Sequence, residues 1–184
     1  MREWAPHATK LVLVGDFSHW NDEARYEFTR DGDDWLLELP DGVLQHGDNY
    51  KLHVYWDGGD GYRIPAYARY VVQDDATKLF AAQIWQPSHG FKWTDRGFKP
   101  PADPPLIYEA HVGMSSEREE VASYVHFTRE ILPRIKRAGY NTVQLMAVAE
   151  HPYYGSFGYH VSNYFAPSSR FGTPDEFKTL VNTC

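Results

Sequence analysis

Leu106-Ile107-Tyr108-Glu109-Ala110-His111-Val112 and Thr142-Val143-Gln144-Leu145-Met146-Ala147-Val148 are the two stretches whose reading decides the fold. Each is an apolar run of strand length, and the first is expected to be a buried strand. Between them Tyr124, Phe127, Ile131, Leu132 and Ile135 recur at spacings of three and four, the stripe of an amphipathic helix over residues 123–138. Pro133 falls inside that stripe and should bend the helix or start a new turn. Gly139 is a good helix stop. Further on, Thr173-Pro174-Asp175-Glu176 reads as a helix start, with Thr173 as N-cap, Pro174 at the first position and Glu176 completing a capping box. Strand, helix, strand and helix in that order predict parallel strands joined by a crossover.

Working outward, residues 94–105 contain Pro100-Pro101 and Pro104-Pro105, which remove four backbone donors and favour extended chain. They read as a semi-rigid linker. Residues 1–93 read as β. Lys10-Leu11-Val12-Leu13-Val14 is an apolar run stopped by Gly15-Asp16. Asp34-Trp35-Leu36-Leu37-Glu38-Leu39 and Tyr50-Lys51-Leu52-His53-Val54-Tyr55-Trp56 alternate, and Asp57-Gly58-Gly59-Asp60-Gly61 closes the latter as a hairpin-type turn. Short strands between turn signals predict a β-sandwich. The expected organisation is a sandwich over 1–93, a linker over 94–105 and an α/β part over 106–184. A parallel run this short covers only the opening of a larger sheet. The chain therefore reads as the front of an enzyme, ending before its chemistry.

Composition narrows the classes. A net charge of −7 lacks the basic stripe that a general nucleic-acid surface needs. The lone Cys184 allows no internal disulfide, which fits a reducing compartment. No apolar stretch approaches the roughly 20 residues of a membrane span, and no signal segment opens the chain. A soluble cytoplasmic protein is the expectation. Aromatics at 16% suit either a β-rich core or a sugar-binding surface, and composition does not choose between them.

An indole can lie on the apolar face of a glucose ring while nearby polar groups bond its hydroxyls. Trp4-Ala5-Pro6, Trp20 and Lys51 are candidates for such a site. Trp20 follows Gly15-Asp16-Phe17 in a turn-rich stretch, and Lys51 points away from Tyr50 and Leu52. Trp is commonly mostly buried, so the residues alone leave these open as core or surface aromatics. Trp35, heading an alternating strand, is a core candidate. Beyond the second strand, residues 150–160 hold three Tyr, two His and two Gly, where ligands sit in α/β barrels. His151 and His160 are not at metal-ligand spacing, and each reads as a hydrogen-bonded loop residue. Glu109 and Glu150 are strand-end carboxylates with nothing local to mark them as an acid–base pair. There is no phosphate loop, metal cluster or nucleophile elbow.

On these residues the chain resembles the 1,4-alpha-glucan (glycogen or starch) branching enzymes of eukaryotic type, within the alpha-amylase superfamily. Trp4-Ala5-Pro6, Gly15-Asp16-Phe17, Trp20-Asn21, His46-Gly47 and Lys51 resemble that family's glucan-binding sandwich module. Residues 107–116 resemble its first barrel strand and loop, and residues 132–147 the next helix and strand. Phe157-Gly158-Tyr159-His160 and residues 166–174 separate branching enzymes from most relatives, debranching enzymes included. The resemblance implies an immunoglobulin-like β-sandwich followed by the first βα units of an incomplete (β/α)8 barrel. It implies transfer of glucan from an α-1,4 to an α-1,6 linkage by a retaining carboxylate pair. The family's nucleophile Asp and acid Glu have no counterpart in this chain. It further implies that Trp4, Ala5, Pro6, Trp20, Asp31, Gly32, Asp33, Asp34 and Lys51 contact oligosaccharide and that Tyr159 stacks on a sugar. No metal or organic cofactor is implied. The implied partner is α-glucan (glycogen, amylose or amylopectin), with no nucleic acid, no membrane and a monomeric full-length enzyme. The alternative expectation is a stand-alone glucan-binding module without catalysis.

Overall fold

The computed structural model describes residues 1–100 and 102–184, so Pro101 of the expected linker lies outside the described residues. The chain divides into two compact units, Met1–Ser88 with Asn163–Ala166, and His89–Ser162 with Pro167–Cys184.

In the first unit eight strands follow one another: β1 (Arg2–Trp4), β2 (Ala8–Gly15), β3 (Thr29–Asp31), β4 (Asp34–Leu36), β5 (Asn49–Trp56), β6 (Gly59–Arg63), β7 (Val71–Gln73) and β8 (Phe80–Gln83). They form a three-stranded sheet, β1-β4-β3, and a five-stranded sheet, β2-β5-β8-β7 with β6 also on β5. One core draws on both sheets. Trp35 and the flanking Ala5 and Leu37 come from the first, and Leu11, Leu13, Leu52, Val71 and Ala82 from the second. Ala166 also joins this core. Trp35 is 4% exposed, and its indole N–H donates to the carbonyl of Ala5 at 2.9 Å. Its burial therefore leaves no orphaned donor.

Period-two alternation sorts β5 cleanly. Tyr50 and Leu52 point into the core, while Lys51, His53 and Tyr55 share the outer face. Opposite them on β6 lie Tyr62, facing His53, and Asp60, facing Tyr55. The hairpin differs from expectation. Only Asp57 and Gly58 turn, with Gly58 at φ 92°, and Gly59–Arg63 continues as a strand. A two-residue loop with glycine in the left-handed region closes the ladder. The Trp56 indole lies over Gly61, where a Cβ would meet it at 3.2 Å. The expected strand over 34–39 stops at Leu36; the Leu37 amide still donates to the carbonyl of Met1 in the same register, and β1 offers no residue opposite Glu38.

The second unit opens on β9 (Ile107–His111), paired in parallel with β10 (Thr142–Met146). Ile107 sits opposite Thr142 and His111 opposite Met146. The crossover is α1 (Tyr124–His126), a π turn (Phe127–Ile131) and α2 (Leu132–Arg137). Pro133 has no N–H to offer the preceding turn, so the hydrogen-bond ladder slips to the wider π spacing just before it. The stripe survives the slip: Tyr124, Phe127, Leu132 and Ile135 are all buried with Ala110 and Val112. The helix α3 (Pro174–Thr183) begins with both bonds of its capping box. The Glu176 amide donates to Thr173 Oγ1 and the Thr173 amide to Glu176 Oε2. One expectation is corrected. The run over 106–112 is not a buried strand, since Ile107 is 49% exposed and only Ala110 and Val112 are buried. Exposure does not alternate along β9: Ile107, Tyr108 and Glu109 all meet solvent, and burial begins at Ala110, which joins the helices in their core.

Candidate functional site

The outer face of β5 and β6 carries a cavity of about 970 Å3, lined by Asp16, Trp20, Asn49, Lys51, Tyr62 and the 72–81 segment. Gly15 begins its construction. This residue ends β2, and its carbonyl accepts both the Ser18 hydroxyl at 3.2 Å and the Trp20 amide at 2.9 Å. A 3-10 turn (Asp16–Ser18) follows, and His19 and Trp20 take φ values of 50° and 61°. Two successive non-glycine residues in the left-handed region carry backbone strain, which tends to collect where a side chain must be aimed. The aim is fixed by Asp16. Its carboxylate accepts the Trp20 indole N–H at 3.0 Å through Oδ1 and the Asn49 amide at 2.7 Å through Oδ2. Trp20 is thereby tethered to the start of β5 yet stays 39% exposed.

Lys51 is half-buried on β5, and among the described residues it makes no ion pair. Its amino group keeps its hydrogen-bonding capacity for a ligand. Tyr62 is 57% exposed and stacks on His53 with ring centres 4.3 Å apart. The loop between β7 and β8 supplies the far part of the lining. There Asp74 accepts the amides of Ala76 and Thr77 and the Thr77 hydroxyl. Those bonds hold the Asp74 carboxyl below its ordinary pKa.

Beside this group, Tyr55 Oη donates to Asp22 Oδ2 at 2.6 Å, and that bond, with some burial, pushes the phenol up to about 12. Burial works against ionisation of Asp22, but bonds from Tyr55 and His53 outweigh it and lower its pKa.

The expected sugar contacts fall into separate places. Trp20 and Lys51 line one cavity. Trp4, Ala5, Pro6 and the segment 31–34 gather around β1, β3 and β4, where Trp4 pairs with Asp34 and Asp31 with Asp34 across a turn at Gly32. The Ala5 amide donates to the carbonyl of Asp33. Ala5 itself is buried, so its methyl group serves the core. Pro6 offers its carbonyl to Arg30 Nη2 at 2.7 Å, and Arg2 pairs with Asp34. Trp4, 61% exposed, shares a shallow groove with Arg2, Asp34 and Tyr67. Beneath it Glu3 is buried; burial raises its pKa although Arg63 bonds it at 2.7 Å.

In the second unit Tyr159 is exposed, its hydroxyl 3.4 Å from Met146 Sδ. Glu150 is fully buried and accepts the amides of His151 and Ser169. It is a loop anchor, whereas Glu109 stands exposed on β9. His151 is buried with Nδ1 against the carbonyl of Ala149, and His160 is exposed.

Tyr62, Leu79 and the Asp74–Thr77 loop were not among the expected site residues. Tyr62 follows a glycine-rich stretch that reads as turn, and only the tight two-residue hairpin puts it on the face of Lys51. For the β7–β8 loop the turn-like run Asp74-Asp75-Ala76-Thr77 was the available signal.

Two exposed aromatic rings, a lysine that makes no ion pair among the described residues and several side-chain oxygens around one open cavity make a surface suited to a carbohydrate. Residues 1–68, within the first unit, match the family model for carbohydrate-binding module 48 (Isoamylase N-terminal domain). More particularly, the chain is similar along 99% of its length to 1,4-alpha-glucan-branching enzymes. It is 44% identical over 192 residues to the one from Yarrowia lipolytica and 44% identical over 190 residues to the one from Emericella nidulans. It spans 28% of each of those relatives. In fold it matches pullulanase type I from Bacillus subtilis with a TM-score of 0.74, covering 100% of this chain and 29% of that one. At 21% identity that likeness concerns architecture alone.

Proposed function

We propose that the first unit binds α-glucan in the cavity shared by Trp20, Lys51 and Tyr62, as the glucan-gripping part of a 1,4-alpha-glucan branching enzyme. The observation that carries this reading is the convergence of Trp20 and Lys51, from different segments, on one cavity. The indole and phenol rings offer flat apolar faces to the C–H face of a glucose unit. Lys51 donates to ring hydroxyls, while Asp16 orients the indole. The parallel pair β9 and β10 with its helical crossover supports reading the second unit as the first βα units of a (β/α)8 barrel. In the same reading the sandwich covers 1–93, a linker 94–105 and the barrel part 106–184, with Tyr159 stacking on a sugar.

Branching needs a nucleophilic and a proton-donating carboxyl group a few ångström apart. Glu150 is committed to two backbone amides and Glu109 lies on an exposed strand position, so neither is cast in those roles. This chain contributes binding, and it should form no new α-1,6 linkages in an iodine-stain or chain-transfer assay.

Co-sedimentation with glycogen tests the binding. The chain should pellet with the polymer, and Trp20→Ala should weaken the association at least about tenfold, on the order of 1.4 kcal/mol. Unchanged pelleting of that variant would remove Trp20 from the site.

A further inference from the structure

His53 sits on the outer face of β5, two residues beyond Lys51, and only 8% of it is exposed. Its two ring nitrogens are both engaged by carboxylates. Nδ1 lies 2.8 Å from Asp22 Oδ1, and Nε2 lies 2.7 Å from Asp60 Oδ2. An ionised carboxylate only accepts hydrogen bonds, so each nitrogen must carry its own proton. The geometry is that of an imidazolium held between two anions. Asp22 belongs to the loop that presents Trp20, two residues earlier. Asp60 is on β6, two residues before Tyr62, whose ring stacks on the imidazole at 23°. The ring thus bridges the two segments that deliver the aromatic lining of the cavity.

We propose that His53 is a positioning residue of the glucan site, a charged pin that ties the Trp20 loop to β6 and so holds the Trp20 and Tyr62 rings in register. The proposal rests on the glucan-binding reading above.

Around the ring two carboxylates and two phenols support its charge, and two lysines oppose it. From the loop, Asp22 accepts a bond, and from β6, Asp60 does the same while Tyr62 offers its π face. On β5 itself Tyr55 Oη lies 3.2 Å from Nδ1 and donates to Asp22. Two cations oppose the charge: Lys51, two residues back on the same face of β5, and Lys10 on β2, which is 3.9 Å from Asp22 and 3.8 Å from Glu27 and so divides its attraction between them. Burial disfavours the charged ring, but the bonds to Asp60 and Asp22 and the attraction of both carboxylates prevail and raise its pKa above the ordinary value. A raised histidine contributes fully below its unfolded value near 6.5, and the contribution fades as pH rises through the folded one. On losing a proton the ring keeps one donor for two acceptors, and one end of the pin opens.

The test is a pH series on the whole chain, reading His53 by imidazole nitrogen NMR, the Trp20 indole N–H by its own peak, and affinity by titration with linear maltoheptaose. At neutral pH both His53 nitrogens should appear protonated. As the ring deprotonates, the Trp20 peak should move and maltoheptaose affinity should fall several-fold with the same midpoint. Asp60→Asn, which removes one anion, should bring that midpoint down by about one pH unit. His53→Gln should bind weakly even at neutral pH and lack the His53 midpoint. A neutral ring at pH 7, or a Trp20 peak that ignores the titration, overturns the pin. Absence of maltoheptaose binding at all pH values overturns the glucan reading instead, and the Trp20 peak then decides the pin alone.

Discussion

Replacing Gly15 with alanine should damage both the sandwich and its site. The backbone there has φ 175°, an extended value open to any residue, so the obstacle is space. A Cβ would stand 2.3 Å from the Asn49 carbonyl oxygen, 2.8 Å from Phe17 Cε1 and 3.0 Å from Tyr50 Cβ. The Phe17 ring can swing aside, but the Asn49 oxygen is backbone at the start of β5. Carbon and carbonyl oxygen sit comfortably at about 3.3 Å, so β2 and β5 must part by roughly 1 Å at this point. Overpacking of this kind costs about 1–3 kcal/mol, and a weakened ladder bond adds about 1 kcal/mol. The sum, about 2–4 kcal/mol, lowers the melting temperature of a domain of this size by on the order of 10 °C or more. The Gly15 carbonyl also holds the Ser18 hydroxyl and the Trp20 amide, so the displacement passes to the indole. Scanning calorimetry with glycogen co-sedimentation reads both effects. A Gly15→Ala chain that melts within about 2 °C of the parent and pellets equally with glycogen would refute the close approach and the reasoning built on it.

Trp35→Phe should remove one of the two donors to the Ala5 carbonyl, which keeps the Ala8 amide at 3.1 Å, costing about 0.5–1.5 kcal/mol, read as a lower urea midpoint. Thr173→Ala removes the side-chain acceptor at the start of α3, and a loss of about 1 kcal/mol should appear as faster amide exchange at Glu176. Asp74→Ala should loosen the β7–β8 loop and weaken maltoheptaose binding at neutral pH. Because the folded state holds the Asp74 carboxyl below its ordinary value, its contribution is present above about pH 4 and fades as pH falls through the lowered value. Parent binding should therefore decline in acid, while the variant loses that part of the decline.

Much of the architecture is legible because local chemistry and tertiary demand agree. The run 10–14 is apolar at every position but the first and is buried from Leu11 onward. Thr173 and Glu176 form the box their spacing implies. Pro133 marks an irregularity that any reader would place, though whether a proline yields a kink, a new turn or a π turn depends on what the helix packs against. The exposure of Ile107 was not legible, since an apolar run says nothing about which neighbours arrive to cover it. The site was half legible. Trp20 and Lys51 are marked by residue type and by family resemblance, but their meeting is a property of register between β2 and β5. Tyr62 and His53 were hidden for the same reason. The pairing of His53 with Tyr62, and the placing of Asp22 and Asp60 on either side of the ring, exist only once the hairpin closes on two residues.

A maltoheptaose titration followed by NMR tests the central claim most directly. Saturable shifts should concentrate on the Trp20 indole N–H and on the amides of Lys51, Tyr62 and residues 74–79. Shifts confined to the Trp4 and Tyr67 groove, with the Trp20 indole unmoved at saturation, would contradict it.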